Sequence, residues 1–188
     1  MAFACCRLCC ASLETPCSSC TACHLICFLY LIAQAPGLAS MAALHRSRND
    51  LRRGEVTGTG EPAVLKDTGA VLCWDGAAGW PDQAPLNGLY TTAEAVKTAL
   101  HRSAQHGVAT VIVRRSSHTG CLQAFLEAAT SQQCMIIIAS CGPGVRSVAP
   151  HGGTTGTLHP NPFAVGIPSS PVPILVDMSV CSVHPLLT

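Results

Sequence analysis

The chain has 188 residues, of which 48% are hydrophobic and only 11% charged, with a formal net charge of +1 and a mean hydropathy of +0.37. This length fits one domain with an appendage, and the apolar composition predicts a large buried core. Capture of nucleic acid needs a concentrated cationic surface, which the sequence does not show, so nucleic-acid binding is not expected.

The thirteen cysteines are unevenly distributed along the chain. Five are scattered singly among apolar residues, as small buried hydrophobic residues are in a reducing compartment, so we expect a cytoplasmic protein. Eight precede residue 28: Cys5, Cys6, Cys9, Cys10, Cys17, Cys20, Cys23 and Cys27.

Three interpretations compete for residues 1–39. The C-x2-C-x2-C-x3-C spacing of residues 17–27 is typical of an iron–sulfur loop and suggests a Cys-rich metal-binding module, although Phe28 stands where that pattern has proline. The absence of charge over residues 15–39 favours a targeting segment instead, whose apolar part is too short for a membrane span. We favour a Cys-rich extension of residues 1–39 without its own fold, followed by one domain over residues 40–188.

The domain begins with a predicted helix, Met41–Arg53, which Gly54 ends. Two short strands at residues 64–65 and 70–74 then flank a predicted hairpin turn, and a loop rich in glycine and proline follows over residues 75–87.

The clearest helix is predicted over Thr91–His106, with Thr91 or Thr92 as its cap and Gly107 as its end. Buried strands are predicted at residues 108–113, 135–139 and 174–178, and a further helix at residues 120–130. This alternation predicts an α/β fold with a mixed, largely buried sheet and flanking helices.

Candidate site residues lie at or just after the ends of the predicted strands, where ligands gather in open α/β sheets. They are Ser116, His118, Ser140 and Asp177. His118 lies in the segment Arg114–Gly120, and its imidazole suits proton exchange with a hydroxyl or carbonyl substrate near neutral pH. The alternative is a histidine that only caps the following helix. The Gly58–Ala63 segment matches a dinucleotide fingerprint by letter, but it lacks the preceding strand and is rejected.

Five short motifs occur in order along the chain, and together they resemble the malate/L-lactate dehydrogenase family, whose nicotinamide site is not a Rossmann fold. That family includes ureidoglycolate and sulfolactate dehydrogenases. The resemblance covers about residues 41–183. The motifs are Gly107-Val108-Ala109, Ser117-His118-Thr119-Gly120, Pro150-His151-Gly152-Gly153, Asn161-Pro162-Phe163-Ala164 and Val176-Asp177-Met178-Ser179.

The resemblance implies reversible hydride transfer between NAD or NADP and the 2-position of a small 2-hydroxy or 2-oxo acid. His118 then corresponds to the proton acceptor, while Ser140 and the Asp177-Met178-Ser179 element correspond to cofactor-binding positions, with no metal. It also implies a homodimer, and neither a membrane nor a nucleic acid is an expected partner.

The sequence departs from that family pattern on the first helix and at its end. Ala43 stands where the resemblance implies an arginine that holds the substrate carboxylate, and Ser47 stands where it implies a tyrosine. The chain stops soon after Ser179, so we expect a truncated member, incomplete at the C-terminal end. Two further hypotheses stay open: an inactive remnant that associates with a full-length relative, and the Cys-rich metal-binding module.

Overall fold

The computed structural model of the protein describes residues 25–33, 40–80, 82–142 and 146–179, with the backbone alone for residues 25–33 and 40–46. Seven strands, three α-helices and a 3₁₀ helix follow one another in these residues. They are β1 (Leu25–Ala33), α1 (Ser40–Arg53), β2 (Ala63–Asp67), β3 (Val71–Asp75), α2 (Gly88–His106), β4 (Val108–Ser116), the 3₁₀ helix (Leu122–Phe125), α3 (Glu127–Thr130), β5 (Cys134–Cys141), β6 (Pro162–Ile167) and β7 (Ile174–Ser179).

The strands form one mixed sheet in the order β2-β3-β4-β1-β5-β6-β7. Strands β3, β4, β1 and β5 run parallel, whereas β2, β6 and β7 each pair antiparallel with their neighbour. The predicted α/β class with a mixed sheet is therefore confirmed. Because β7 reverses the direction of β6, its C-terminal end lies on the same side of the sheet as the C-terminal ends of the four parallel strands. We call this side the carboxyl edge, and it carries the candidate site residues.

The central strand of the sheet comes from the segment that we predicted to be an extension. Leu25–Ala33 pairs with β4 on one side and β5 on the other. It is a continuous apolar run that includes isoleucines and aromatic residues, which is typical of a strand in a parallel sheet covered on both faces. The predicted division at residue 40 therefore does not coincide with the boundary of the sheet; residues 1–24 and 34–39 lie outside the described residues.

Helix α2 begins three residues earlier than predicted, because Asn87 caps it. The Asn87 side chain accepts hydrogen bonds from two amides of the first turn, which satisfies donors that have no partner inside a helix. The prediction of Thr91 or Thr92 as the cap is wrong, since their hydroxyls donate back to the carbonyls of Asn87 and Gly88, both at 2.7 Å. The predicted end at Gly107 is confirmed, with a φ of 78°.

Two further elements differ from prediction. The single helix predicted over residues 120–130 is a 3₁₀ helix followed by a four-residue α-helix, because Gly120 is left-handed and Cys121 is extended. Strand β6 was not predicted, since Pro162 and Gly166 weaken the β-strand pattern of a six-residue segment.

The core lies between the sheet and helix α2, with the 3₁₀ helix covering the β6 side. Alternate residues of β4 and β5 are buried and belong to one hydrophobic cluster with Ala95, Val96 and Ala99 of α2. Burying a leucine or isoleucine side chain of this kind contributes about 1.5–3 kcal/mol, so these contacts hold the carboxyl edge of the sheet in place. Among the described residues, no helix is long and apolar enough to cross a membrane.

Gly166 in β6 tests how closely the sheet packs against the segment after His118. A Cβ atom there would lie 2.9 Å from Ile136 Cγ2 and 3.1 Å from Leu126 Cβ, both in the core. We expect Gly166→Ala to lower the free energy of unfolding by about 1–3 kcal/mol, measured by urea denaturation. Gly58→Ala is the matched control, because its methyl would meet only Leu51 Cδ2 at 3.4 Å. Equal stability of the two variants would contradict this packing.

Candidate functional site

The predicted site residues share one edge of the sheet but not one point on it. Ser116 ends β4, with His118 two residues beyond it; Ser140 is the penultimate residue of β5, and Ser179 ends β7. Strand β1 separates β4 from β5, so the ends of these two strands lie about 10 Å apart. The structure therefore distributes the predicted proton-transfer and cofactor positions along the edge from β4 to β7.

The His118 ring is oriented by its own loop. The Gly120 amide donates a hydrogen bond to His118 Nδ1 at 2.8 Å, and Gly120 can make this turn because its φ is 70°. A nitrogen that accepts a hydrogen bond carries no proton, so the neutral ring holds its proton on Nε2. The half-buried imidazole is thus held in one tautomer, with Nε2–H as its donor group.

The loop that carries His118 is tied to the N-terminus of helix α2. The Gly88 amide donates to Ser117 Oγ at 2.7 Å. The Gly88 Cα also packs so closely on the Ser117 and His118 carbonyl groups that a side chain there would overlap them. With Ser117 and Asn87 as acceptors, the first amides of α2 are all satisfied by protein atoms.

Helix α1 contacts the N-terminus of helix α2 through Ser47, which stands where the resemblance implies a tyrosine. Asn87 Nδ2 donates to Ser47 Oγ at 2.6 Å, and both residues are buried. The hydroxyl therefore holds α1 against the cap of α2. The side chain of Ala43, where an arginine was implied, lies outside the described side chains.

Sequence reasoning missed Asp75, a buried carboxylate at the end of β3. Asp75 is 2% exposed and accepts five hydrogen bonds: from Arg115 Nε (2.9 Å) and Nη2 (2.6 Å), from Arg114 Nε (3.0 Å) and Nη2 (2.8 Å), and from the Ala77 amide (3.0 Å). The hydrogen bond from Arg115 is the largest cause that lowers the pKa of Asp75 to about 2. The sequence signal that could have pointed to Asp75 is an aspartate at the end of one predicted strand, with two successive arginines after the next predicted strand.

Asp177, a predicted cofactor position, contacts the segment after His118. Its Oδ2 accepts the Gln123 amide at 2.8 Å and the Cys121 thiol at 3.3 Å. This carboxylate therefore fastens β7 to the start of the 3₁₀ helix. The other predicted cofactor positions are split, with Ser140 buried and both Met178 and Ser179 exposed.

A cavity of about 200 Å³ lies at the other end of the same edge. It is lined by Thr57, Thr59, Gly60, Glu61 and Ala63 and by residues 75–79, 83, 84 and 86, and by none of His118, Ser140 or Asp177. Within the described residues, no group of three or more His, Cys, Asp or Glu side chains could hold a metal ion. The side chains of the predicted iron–sulfur spacing at residues 17–27 lie outside that part of the chain.

Comparison with known proteins identifies the family to which this chain belongs. The model of the malate/L-lactate dehydrogenase family matches residues 31–185, which is most of the chain. The chain therefore belongs to the malate/L-lactate dehydrogenase family, and the resemblance found in the sequence is confirmed.

Individual relatives are dehydrogenases of 2-hydroxy acids. The chain is 27% identical over 146 residues to the L-lactate dehydrogenase of Cupriavidus necator, covering 76% of this chain and 40% of that one. It is 28% identical over 130 residues to the L-sulfolactate dehydrogenase of Methanothermobacter thermautotrophicus, covering 69% and 35%. The crystal structure of malate dehydrogenase from Entamoeba histolytica matches with a TM-score of 0.61 and 25% identity, covering 70% of this chain and 34% of that one. The chain thus spans well under half the length of these relatives.

A substitution at Gly88 tests whether the conformation of the His118 loop depends on the close approach of helix α2. An alanine methyl there would meet the His118 carbonyl carbon at 2.7 Å. We expect Gly88→Ala to lower the free energy of unfolding by about 1–3 kcal/mol and to shift the amide resonances of residues 117–120. Ser117→Ala, which removes one hydrogen bond worth about 1 kcal/mol, should cost less. A Gly88→Ala protein with unchanged stability and an unchanged spectrum would contradict the described loop.

Proposed function

We propose that this chain carries the proton-transfer part of an oxidoreductase site for hydride exchange between NAD or NADP and a small 2-hydroxy or 2-oxo acid. The relatives named above act on lactate, sulfolactate or malate, which are acids of this kind. The observation that carries the proposal is the His118 imidazole, held in one tautomer at the carboxyl edge of a parallel sheet. We propose a cytoplasmic homodimer as the setting of this site.

In this proposal His118 exchanges a proton with the hydroxyl or carbonyl oxygen at the 2-position. The Gly120 amide constrains that exchange, because a proton on Nδ1 would face the amide hydrogen. The charged imidazolium has protons on both nitrogens, so the ring can accept a proton only when the Gly120 hydrogen bond opens. Proton uptake at His118 is therefore coupled to a small movement of residues 118–120.

The described cavity is too small for a complete dinucleotide. Pockets for ligands of such size have volumes of about 300–1,000 Å³, whereas the described cavity is about 200 Å³ and lies away from the predicted cofactor residues. Asp177 is engaged by Gln123 and Cys121. We keep Ser140, Asp177, Met178 and Ser179 as proposed cofactor contacts, and we propose that a second copy of the chain in the homodimer completes the site.

A second candidate function is association with a full-length relative without catalysis by this chain. The chain covers only 40% of the Cupriavidus necator enzyme. Both edge strands of the sheet also carry exposed apolar side chains, Val64 at 60% on β2 and Ile174 at 53% on β7. Exposed apolar residues on edge strands favour pairing with another chain.

Purified full chain should be assayed with NADH and NADPH and a panel of 2-oxo acids, following nicotinamide absorbance and the shift in melting temperature caused by each cofactor. We expect turnover that falls at least about 100-fold in His118→Gln, because general acid–base catalysis contributes about that much. His101→Gln is the matched control, since His101 is an exposed histidine on α2.

Three outcomes separate the two candidates. Turnover that depends on His118 and not on His101 supports the enzyme. Absence of both turnover and cofactor-induced stabilisation contradicts catalysis by this chain alone. In that case, co-purification with a full-length relative supports the association, whereas a chain that stays monomeric beside the relative contradicts it.

A further inference from the structure

The backbone bends at Arg115, three residues before His118. Arg115 has a φ of 51°, the left-handed region that residues with a Cβ atom avoid. The pairing of β4 with β1 shifts at the same place: Arg114 pairs with Ile32, and Ser116 pairs with Ala33. Arg115 is thus the extra residue of a bulge, and such an unfavourable conformation persists only where neighbouring contacts hold it.

The contacts that hold this bend are those of Asp75. Successive side chains of a regular strand point to opposite faces of the sheet, so two neighbouring arginines would not normally reach one carboxylate. Here Arg115 binds Asp75 through Nε and Nη2, at 2.9 and 2.6 Å, while Arg114 binds it through the same two atoms at 3.0 and 2.8 Å. The left-handed bend and the doubly bound carboxylate therefore occur together.

The bend determines which way the following residues face. A shift of one residue in a strand moves every later side chain to the other face. With the bulge in place, Ser117 Oγ reaches the Gly88 amide at 2.7 Å and His118 Nδ1 reaches the Gly120 amide at 2.8 Å. The turn after Asp75 fixes the same point, since the Gly76 amide donates to the Arg114 carbonyl at 3.0 Å.

We propose that Asp75 is a positioning residue for His118, which it orients by locking the left-handed bend at Arg115. The described hydrogen bonds of Asp75 go to Ala77, Arg114 and Arg115, so its proposed effect on His118 passes through the backbone. Its catalytic meaning rests on the proposed function, but its effect on the His118 loop does not.

The test measures hydrogen exchange of the Gly120 amide in the full chain by NMR, which needs neither substrate nor cofactor. We expect Asp75→Asn to speed exchange of this amide about tenfold or more, since the loop opens locally when the bend is released. Asp67→Asn is the matched control, because it removes a similar bidentate contact, with Arg102, away from the site. It should change Gly120 exchange by less than about twofold.

A second substitution in the Asp75→Asn protein distinguishes a positioning role of Asp75 from a general effect on stability. Glycine adopts the left-handed region freely, so Arg115→Gly in the Asp75→Asn background should restore most of the Gly120 protection. Gln133→Gly in the same background is the control, because Gln133 also has a positive φ, of 59°, but lies before β5. This substitution should relieve backbone strain at residue 133 without restoring the protection of the Gly120 amide from exchange.

Should Asp75→Asn fail to fold, single changes at Arg115 test the same point with Asp75 and Arg114 intact. Arg115→Gly should keep the Gly120 amide protected, and Arg115→Ala should lose that protection. Unchanged Gly120 exchange in a folded Asp75→Asn protein would overturn the proposal. So would equal rescue by Gln133→Gly, or equal protection in the two Arg115 variants. If the hydrogen-exchange results are as expected but the unaltered chain shows no turnover, only the proposed function is contradicted.

Discussion

The buried carboxylate of Asp75 is the interaction on which the candidate site depends. An ionised carboxylate inside a protein is stable only when it is paired and hydrogen-bonded, and removing its partners costs several kcal/mol. Asp75 meets this requirement with two guanidinium groups and one amide, and its lowered pKa keeps it ionised at ordinary pH. Strands β3 and β4 are thereby fastened at their carboxyl ends, where the segment carrying His118 begins.

The contacts around the N-terminus of helix α2 show how this chain uses a position at which the family resemblance implies a different residue. Ser47 stands where a tyrosine is implied, and its hydroxyl is committed to Asn87, the cap of α2. That cap presents Gly88 to Ser117, so the first helix, the second helix and the His118 loop are linked through three side chains. The same polar atoms that complete the helix ends therefore also orient the proposed proton-transfer residue.

Much of the fold could be predicted because its signals are local. The apolar runs that became β4 and β5 reflect strands covered on both faces, and left-handed glycines after α1 and α2 end those helices. The cap of α2 was missed because Asn87 lies in a loop rich in glycine and proline, while the threonines that follow have polar groups of the same kind. Strand β1 was missed because its apolar run suited a targeting segment equally well.

The site was less accessible to sequence reasoning, because its contacts are distant along the chain. His118 and its loop follow from one motif, but Asp75 acts on arginines 39 and 40 residues away. The pairing of Asp177 with Gln123, across 54 residues, has no local signal either. A bend at a residue such as Arg115 cannot be inferred from its type, since arginine does not favour a positive φ.

The proposed role of His118 depends most directly on the hydrogen bond from the Gly120 amide to His118 Nδ1. This bond can be detected as a scalar coupling between the two nitrogen nuclei, measured by NMR on uniformly ¹⁵N-labelled protein at neutral pH. The structure predicts a coupling between Gly120 N and an unprotonated Nδ1 of His118, with the ring proton on Nε2. A His118 ring that carries its proton on Nδ1 and shows no coupling to Gly120 would contradict the arrangement from which the proposed function is derived.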